Sequence, residues 1–235
     1  MIEGLFNASK SLHEKMQNIQ VVANNLANIN TNGYKREIPF TEYMKRSENE
    51  QVKQITDFSE GEFQETGNPF DVALSGNAFF AVKTERGTEL TKNGQFKIDD
   101  EGYLSTKDGN RVLGDNGEIS LNETLIDAKG NVTITTDGEI KTGDLTINRL
   151  KLIKVEDPRK LLRSESQKYY DPEEDYIAAE KNEYQIHQGF LETSNTNPIL
   201  EMQAMIQLQK DYEASSKMIS SLDSMLGLNK EIGRV

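Results

Sequence analysis

Both ends of the chain carry apolar residues at heptad spacing, while the sequence between them alternates in short pieces separated by turn signals. Leu5, Leu12, Ile19 and Leu26 stand seven apart, with Ala8, Val22 and Ile29 three positions after members of the series. Near the other end Met205, Tyr212, Ile219 and Leu226 repeat the interval, supported by Leu208 and Leu222. A sustained seven-residue apolar repeat is the mark of a coiled-coil seam. The pattern therefore predicts an α+β chain in which two long terminal α-helices form a coiled-coil-like domain beside a central, mainly antiparallel β domain. The first helix is expected over 3–28, roughly 40 Å long. It ends in a cluster of Asn28, Asn30, Thr31, Asn32 and Gly33, residue types that tolerate left-handed backbone angles. The second is expected to start at Asn197-Pro198, where Asn197 caps free amides, Pro198 fits the first helical position and Glu201 favours the positive end of the helix dipole. It continues to Leu226, where Gly227 weakens it.

Between them, Asn93-Gly94, Asp108-Gly109, Asn116-Gly117 and Asp137-Gly138 read as hairpin dipeptides. Strands are expected at 70–74, 79–82, 96–98 and 132–135. The segment 145–155 reads as the last and longest strand, with a slip of alternation between Ile147 and Leu150 that marks a bulge. The charged stretch from Asp157, which holds Pro158 and Pro172, reads as a return loop. The expected organisation is an N-terminal helix and motif at 1–33, an extended linker at 34–62, the β domain at 63–156, a return segment at 157–188 and the C-terminal helix at 189–235.

Composition narrows the chemistry. Thirty-nine acidic against 27 basic residues give a formal charge of -12, a field that repels phosphate backbones and argues against a nucleic-acid partner. Without cysteine there are no disulfides or thiolate metal sites. The opening MIEGLFNASK has no apolar run typical of a cleaved secretory signal, and no stretch reaches the ~18 apolar residues of a membrane span. Export, if it occurs, is expected without a cleaved signal.

Candidate catalytic groups are sparse. The two histidines, His13 and His187, fall in a helix and at the entry to the C-terminal segment, where structural roles account for them. Asp171, Glu173, Glu174 and Asp175 are the densest acidic run, which reads as solvated loop rather than a carboxylate pair or calcium site. Asp99, Asp100 and Glu101 likewise lack a full calcium-loop pattern. The expectation is no enzyme, no cofactor and no metal.

Two blocks carry a family resemblance. ANNLANINTNGYKR, residues 23–36, resembles the N-terminal signature of the bacterial flagellar axial proteins, the rod and hook subunits, through Asn24, Asn25, Leu26, Asn28, Thr31, Gly33, Tyr34 and Lys35. Residues 189–219 are similar to the C-terminal segment of the same family through Gly189, Leu191, Glu192, Ser194, Asn195, Glu201, Met202, Met205, Ile206, Gln209, Tyr212, Glu213 and Lys217. The central NPFDVALSGNAFFAV and LTKNGQFKIDDEGYLSTKDGNRVLGDNG also look like the β domain of rod and hook proteins. The resemblance implies a non-catalytic subunit of the flagellar basal-body rod, exported by the flagellar type III machinery. Its implied partners are copies of itself and other rod and hook subunits. The length leaves no room for the outer insertion of hook proteins, and VLGDNGEI and INRLKLIKVED favour the proximal over the distal rod subunit. The alternatives are a hook or other axial subunit and, more remotely, a secreted β-rich adhesin. In an assembling subunit the heptad residues Leu5, Leu12, Ile19, Leu26, Ile29, Met205, Leu208, Tyr212, Ile219, Leu222 and Leu226 are expected at the interface between copies.

Overall fold

The computed structural model describes residues 2–39, 55–121 and 132–232. It divides into two compact units: one holds 1–28, 37–55 and 196–235, the other 29–36 and 56–195. The part of the expected linker at 40–54 lies outside the described residues, as do the side chains of Leu5, Leu222 and Leu226.

The first unit is a helix pair. α1 (Ile2–Ala27) and α2 (Pro198–Ile232) pack together. Pairing of Lys15 with residues 211 and 215, and of Asn25 with residue 201, sets them antiparallel. The start of α2 is built as its residue types demand: Asn197 Oδ1 accepts from the amides of Ile199 and Leu200 at 3.0 and 3.2 Å, satisfying two donors that a helix leaves open. Gly227 does not end it; the helix runs five residues further.

The expected coiled coil is not what these helices make. Besides them the described chain is a large antiparallel β domain, and the heptad residues do not form a buried seam. Leu12, Ile19 and Leu26 are only half-buried, while the buried positions of α1 are Asn18, Val22 and Asn25. Two of those three are polar. On α2, Met205, Leu208, Tyr212 and Ile219 are again half-buried, and Glu201 is the one buried residue among the described side chains. Lys15 Nζ sits between the helices, donating to the Asp211 carbonyl at 3.2 Å and to Ser215 Oγ at 2.6 Å. Knobs-into-holes packing needs apolar side chains at the inner positions. A strict seven-residue repeat also drifts ~20° per heptad on a straight helix, so the stripe slides off the contact line and polar groups take it.

The second unit is organised around the strand Ala78–Thr84. Its first five residues, AFFAV, are all buried. Because side chains alternate across a strand, Phe80 and Val82 enter one core with Val72, Leu104, Ile119, Ile140 and Ile186. Phe79 and Ala81 enter another with Leu90, Ile153, Leu161 and Tyr169. A continuous apolar run of this kind reports a strand covered on both faces. One of its edges pairs with Gly87–Thr91; the other is shared by Leu152–Lys154 and Arg111–Gly114.

That shared edge explains why 145–155 is not one strand. Leu145–Arg149 pairs with Glu139–Thr142 in a separate three-stranded sheet, whereas Leu152–Lys154 pairs with the central strand. The chain changes sheets at Leu150 and Lys151, and the expected bulge falls at Ile147, the extra residue between Thr146 opposite Lys141 and Asn148 opposite Ile140. The return segment is also more regular than its sequence indicates. It contains the short strands Leu162–Arg163, Lys168–Tyr170, Ile177–Ala178 and Tyr184–Gln188. Most span two or three residues, too short for a period to show.

Among the turn dipeptides, Asp108-Gly109 and Asp137-Gly138 reverse the chain between paired strands, with both glycines at positive φ. Asn93-Gly94 does not join paired strands. Gly94 lies under the backbone of Val72, where a Cβ would stand 1.8 Å from the carbonyl oxygen, and the Gly94 carbonyl accepts from the Val72 amide at 3.0 Å. Glycine is required there for close approach and not for a turn. Gly94→Ala is therefore expected to cost about 3 kcal/mol. Gly109→Ala, where the added Cβ meets open space and only left-handed strain remains, should cost about 1 kcal/mol. Urea denaturation of the two variants distinguishes them; equal losses would contradict the close-approach explanation.

Candidate functional site: two polar clasps around the terminal motifs

In the second unit, residues 33–36, 57–61 and 192–195 are joined by one hydrogen-bonded network. Lys35 is fully buried, and its ammonium donates to Glu192 Oε1 at 2.6 Å and to the Ser59 carbonyl at 2.7 Å. Glu192 is itself buried, and the same Oε1 accepts from the Gly61 amide at 2.8 Å. Its backbone carbonyl accepts from the Gly33 amide at 2.7 Å. Three residues on, Asn195 repeats the device: Oδ1 accepts from the Arg36 amide at 2.7 Å, and Nδ2 donates to the Asp57 and Ser59 carbonyls at 2.8 and 3.0 Å. Burying a cation and an anion is costly unless each meets its counter-charge and hydrogen-bond partners. Here short backbone segments supply those partners.

The walls of this network need small residues at two points. Gly33 has φ +68°, and a Cβ on it would fall 2.6 Å from the backbone of Asn93. A Cβ on Gly61 would fall 2.1 Å from the Thr193 carbonyl. The Tyr34 ring is buried beneath the Arg163 guanidinium, 4.3 Å from the ring centroid, and Arg163 also donates to the Lys35 carbonyl at 3.2 Å.

Lys92 adds a second buried cation. It is 2% exposed, donates to the Gly76 carbonyl at 2.6 Å and lies 5.2 Å from the centre of the Phe79 ring. Burial, and then the positive charge of Lys35, push its pKa down to about 8, although Glu192 and Glu60 pull the other way.

The helix unit has its own clasp. Asn25, fully buried on α1, pairs with both backbone groups of Glu37: Nδ2 donates to the carbonyl at 2.8 Å and Oδ1 accepts from the amide at 2.9 Å. Its Nδ2 also lies 3.2 Å from Oε2 of Glu201, which is 1% exposed in the first turn of α2. A carboxamide is suited to this because it carries a donor and an acceptor side by side.

The remaining motif residues fall into several environments. Asn24 is exposed and accepts from Gln20 Nε2, and Asn28 Nδ2 donates to the Asn24 carbonyl. Thr31 and Ser194 are half-buried, and Ile29 is half-buried in the second unit. Gly189, at φ +80°, donates to the Asp71 carbonyl and accepts from the Thr66 and Gly67 amides. Leu191 is buried; Met202 is more than half exposed. Glu37, Gly61, Lys92 and Arg163 escape the sequence reading. Glu37 and Lys92 adjoin motif or turn residues, but nothing in a single sequence marks a surface-type residue as buried.

The two histidines neighbour aromatic and carboxamide side chains. The His187 ring lies 5.6 Å from Phe63 and 6.4 Å from Phe190, between aromatic rings. His13 faces Gln17 on α1. Asp171 Oδ1 accepts from the Glu173 amide within its own loop. Among the described residues no group of three or more His, Asp or Glu side chains converges as a metal site, and no helix is long and apolar enough to cross a membrane.

Comparison with known proteins falls on the same segments. Residues 8–35 match the family model of flagella basal body rod proteins, residues 73–142 the D1 domain of the flagellar hook protein FlgE/F/G group, and residues 187–229 the C-terminal segment of the flagellar basal body rod FlgEFG proteins. The chain is 32% identical over 216 residues to the flagellar basal-body rod protein FlgF of Caulobacter vibrioides, covering 86% of each. It is 27% identical to FlgF of Mesorhizobium japonicum, over 93% of this chain and 92% of that one. To the rod protein FlgG of Borreliella burgdorferi it is 29% identical over the whole of both chains.

Two predictions test the clasp of the second unit. Lys35→Met leaves the Glu192 carboxylate buried without its counter-charge, and the expected loss is about 4 kcal/mol of unfolding free energy. Adding Glu192→Met should recover part of it, because no charge is then left alone; a double variant as unstable as the sum of the singles would contradict the pairing. The second prediction concerns pH. With a folded pKa of about 8 against the ordinary 10.5, the unfolded chain holds a proton that folded Lys92 has released between those values. Stability therefore rises with pH across that window. Between about pH 8 and about pH 10 the parent chain should gain about 2 kcal/mol relative to Lys92→Met. A difference independent of pH would show that Lys92 is not desolvated.

Proposed function

This chain belongs to the flagellar basal-body rod protein family, and on that premise we propose that it is a structural subunit of the proximal rod. It would stand in the basal body among other rod and hook subunits and do no chemistry. It would travel there through the flagellar type III export machinery and assemble with copies of itself.

The observation that carries this reading is the apolar surface of the helix unit. Phe6 and Met16 on α1, and Ile199, Leu200, Met202, Ile206, Met218 and Met225 on α2, are each more than half exposed. At ~100° per residue, the six on α2 fall on the side opposite the row Met205, Leu208, Tyr212 and Ile219, which is half-buried. A helix with apolar side chains on two sides is covered only when a second partner arrives. Methionine suits such a surface, because its flexible thioether adapts to neighbours that are not identical. The expected interface residues Leu12, Ile19 and Leu26 are half-buried, so in this proposal they contribute edges to contacts whose centre is the exposed arc.

Charge on that arc separates assembly from folding. Ile206→Asp and Met218→Asp both alter exposed positions and should change the unfolding free energy by about 0.5 kcal/mol or less. Rod incorporation and motility should be lost in a strain carrying either variant. A variant that remains folded and supports full motility would remove the arc from the assembly surface.

A further inference from the structure

In the second unit a cavity of about 320 Å³ opens beside residues 30–32, and every residue lining it is polar. Its most unusual wall is Lys168. The side chain is only 9% exposed, and its ammonium lies 3.6 Å from Asp108 Oδ2, beyond hydrogen-bonding distance. It has no hydrogen-bond partner among the described residues. The ammonium carries three donors, and with Asp108 as its counter-charge but no hydrogen-bond acceptor it keeps room for one. Lys107 adds a second cation at the rim, and the carboxamides of Asn30, Asn32 and Gln95, also without protein partners among the described residues, offer further donors and acceptors. Beside them Ser166 and Gln167 both adopt left-handed backbone, at φ 54° and 58°, and Thr91 Oγ1 fixes that turn by donating to the Gln167 carbonyl. The combination fits a carboxylate carried on a polypeptide: the lysines take the anion and the carboxamides take peptide groups. A sugar ring would find no aromatic face here.

An acidic segment of suitable chemistry lies at the other end of the same strand ladder. Lys168 is registered opposite Thr91, and Tyr169 opposite Leu90. The chain then turns through 172–175, all exposed, and Tyr176 closes the loop by donating to the Thr88 carbonyl at 3.3 Å. Glu173 pairs with Lys160; Glu174 and Asp175 extend beyond it. A cavity lined by two lysines and one aspartate and an acidic loop at a different place on one subunit make a heterologous contact, which propagates into an open polymer instead of closing a dimer. The formal charge of -12 sharpens the requirement, because copies repel unless acid meets base where they touch.

We infer that this cavity receives a carboxylate from the exposed acidic loop 172–175 of a second copy of this chain. The inference rests on the rod-subunit reading for the existence of neighbouring copies. It is tested by titrating the full chain into a fluorescently labelled peptide of residues 169–178, YYDPEEDYIA, and following anisotropy. Saturable binding that weakens with salt is expected. Lys168→Met should weaken it by about thirtyfold or more, and Lys107→Gln, an exposed change that spares the fold, by about threefold. A peptide with Glu174→Gln and Asp175→Asn should bind as poorly as the parent peptide binds Lys168→Met. Absence of binding, equal binding of the neutral peptide, indifference to both lysine changes, or displacement by an oligomer of N-acetylglucosamine would each overturn the assignment. Rod incorporation of the unaltered chain, scored separately, distinguishes failure of the cavity from failure of the rod-subunit reading.

Discussion

A lysine ammonium removed from water costs free energy unless a counter-charge and hydrogen-bond acceptors meet it, and in the second unit Lys35 and Glu192, 157 residues apart, meet that requirement for each other. Lys35 and Glu192 are both buried, 2.6 Å apart. The geometry around them follows from the need to satisfy both charges: a carbonyl from Ser59, an amide from Gly61 and an amide from Gly33 all point into the pair or its backbone. Glycine at 33 and 61 is a consequence, since the backbones that approach so closely leave no space for a Cβ. A buried ion pair is weak evidence of net stability, but a wrong register here would leave a charge alone.

The helix unit solves a similar problem with neutral chemistry. Asn25 takes the place of a neighbouring strand for Glu37 and reaches the first turn of α2 through Glu201. In both units, then, motif residues near the start of the chain are held to motif residues from its last fifty by polar contacts within one molecule. The exposed apolar arc of α2 is left over from that private packing. A subunit that settles its polar groups alone and leaves apolar surface for its neighbours can fold before it assembles, with burial completed afterwards.

The legible parts of the sequence were those set by local chemistry. Asn197 and Pro198 state a helix start, Asp108-Gly109 and Asp137-Gly138 state reversals, and the apolar run at 79–82 states a strand, whose burial on both faces only the fold reveals. The illegible parts depended on partners distant in the chain. A dipeptide such as Asn93-Gly94 looks like a hairpin until Val72 is placed against it. The heptad stripe looked like a seam because periodicity reports which residues are apolar, not which side of the helix meets its neighbour; Asn18 and Asn25 took the buried line instead. Within the motifs the residue types were readable, but the sequence could not show that Lys35 meets Glu192 or that Glu37 and Arg163 belong to the same networks.

If the clasp is private to each molecule, its amides must be protected before any neighbour is present. Native-state hydrogen exchange at the Gly33 and Gly61 amides of the monomer, both committed to Glu192, measures this directly. Opening free energies close to that of global unfolding are predicted for both, with little further protection on assembly. Exchange at the rate of an unstructured chain in the monomer, slowed only after polymerisation, would show that the two motifs meet between molecules and would contradict the central claim.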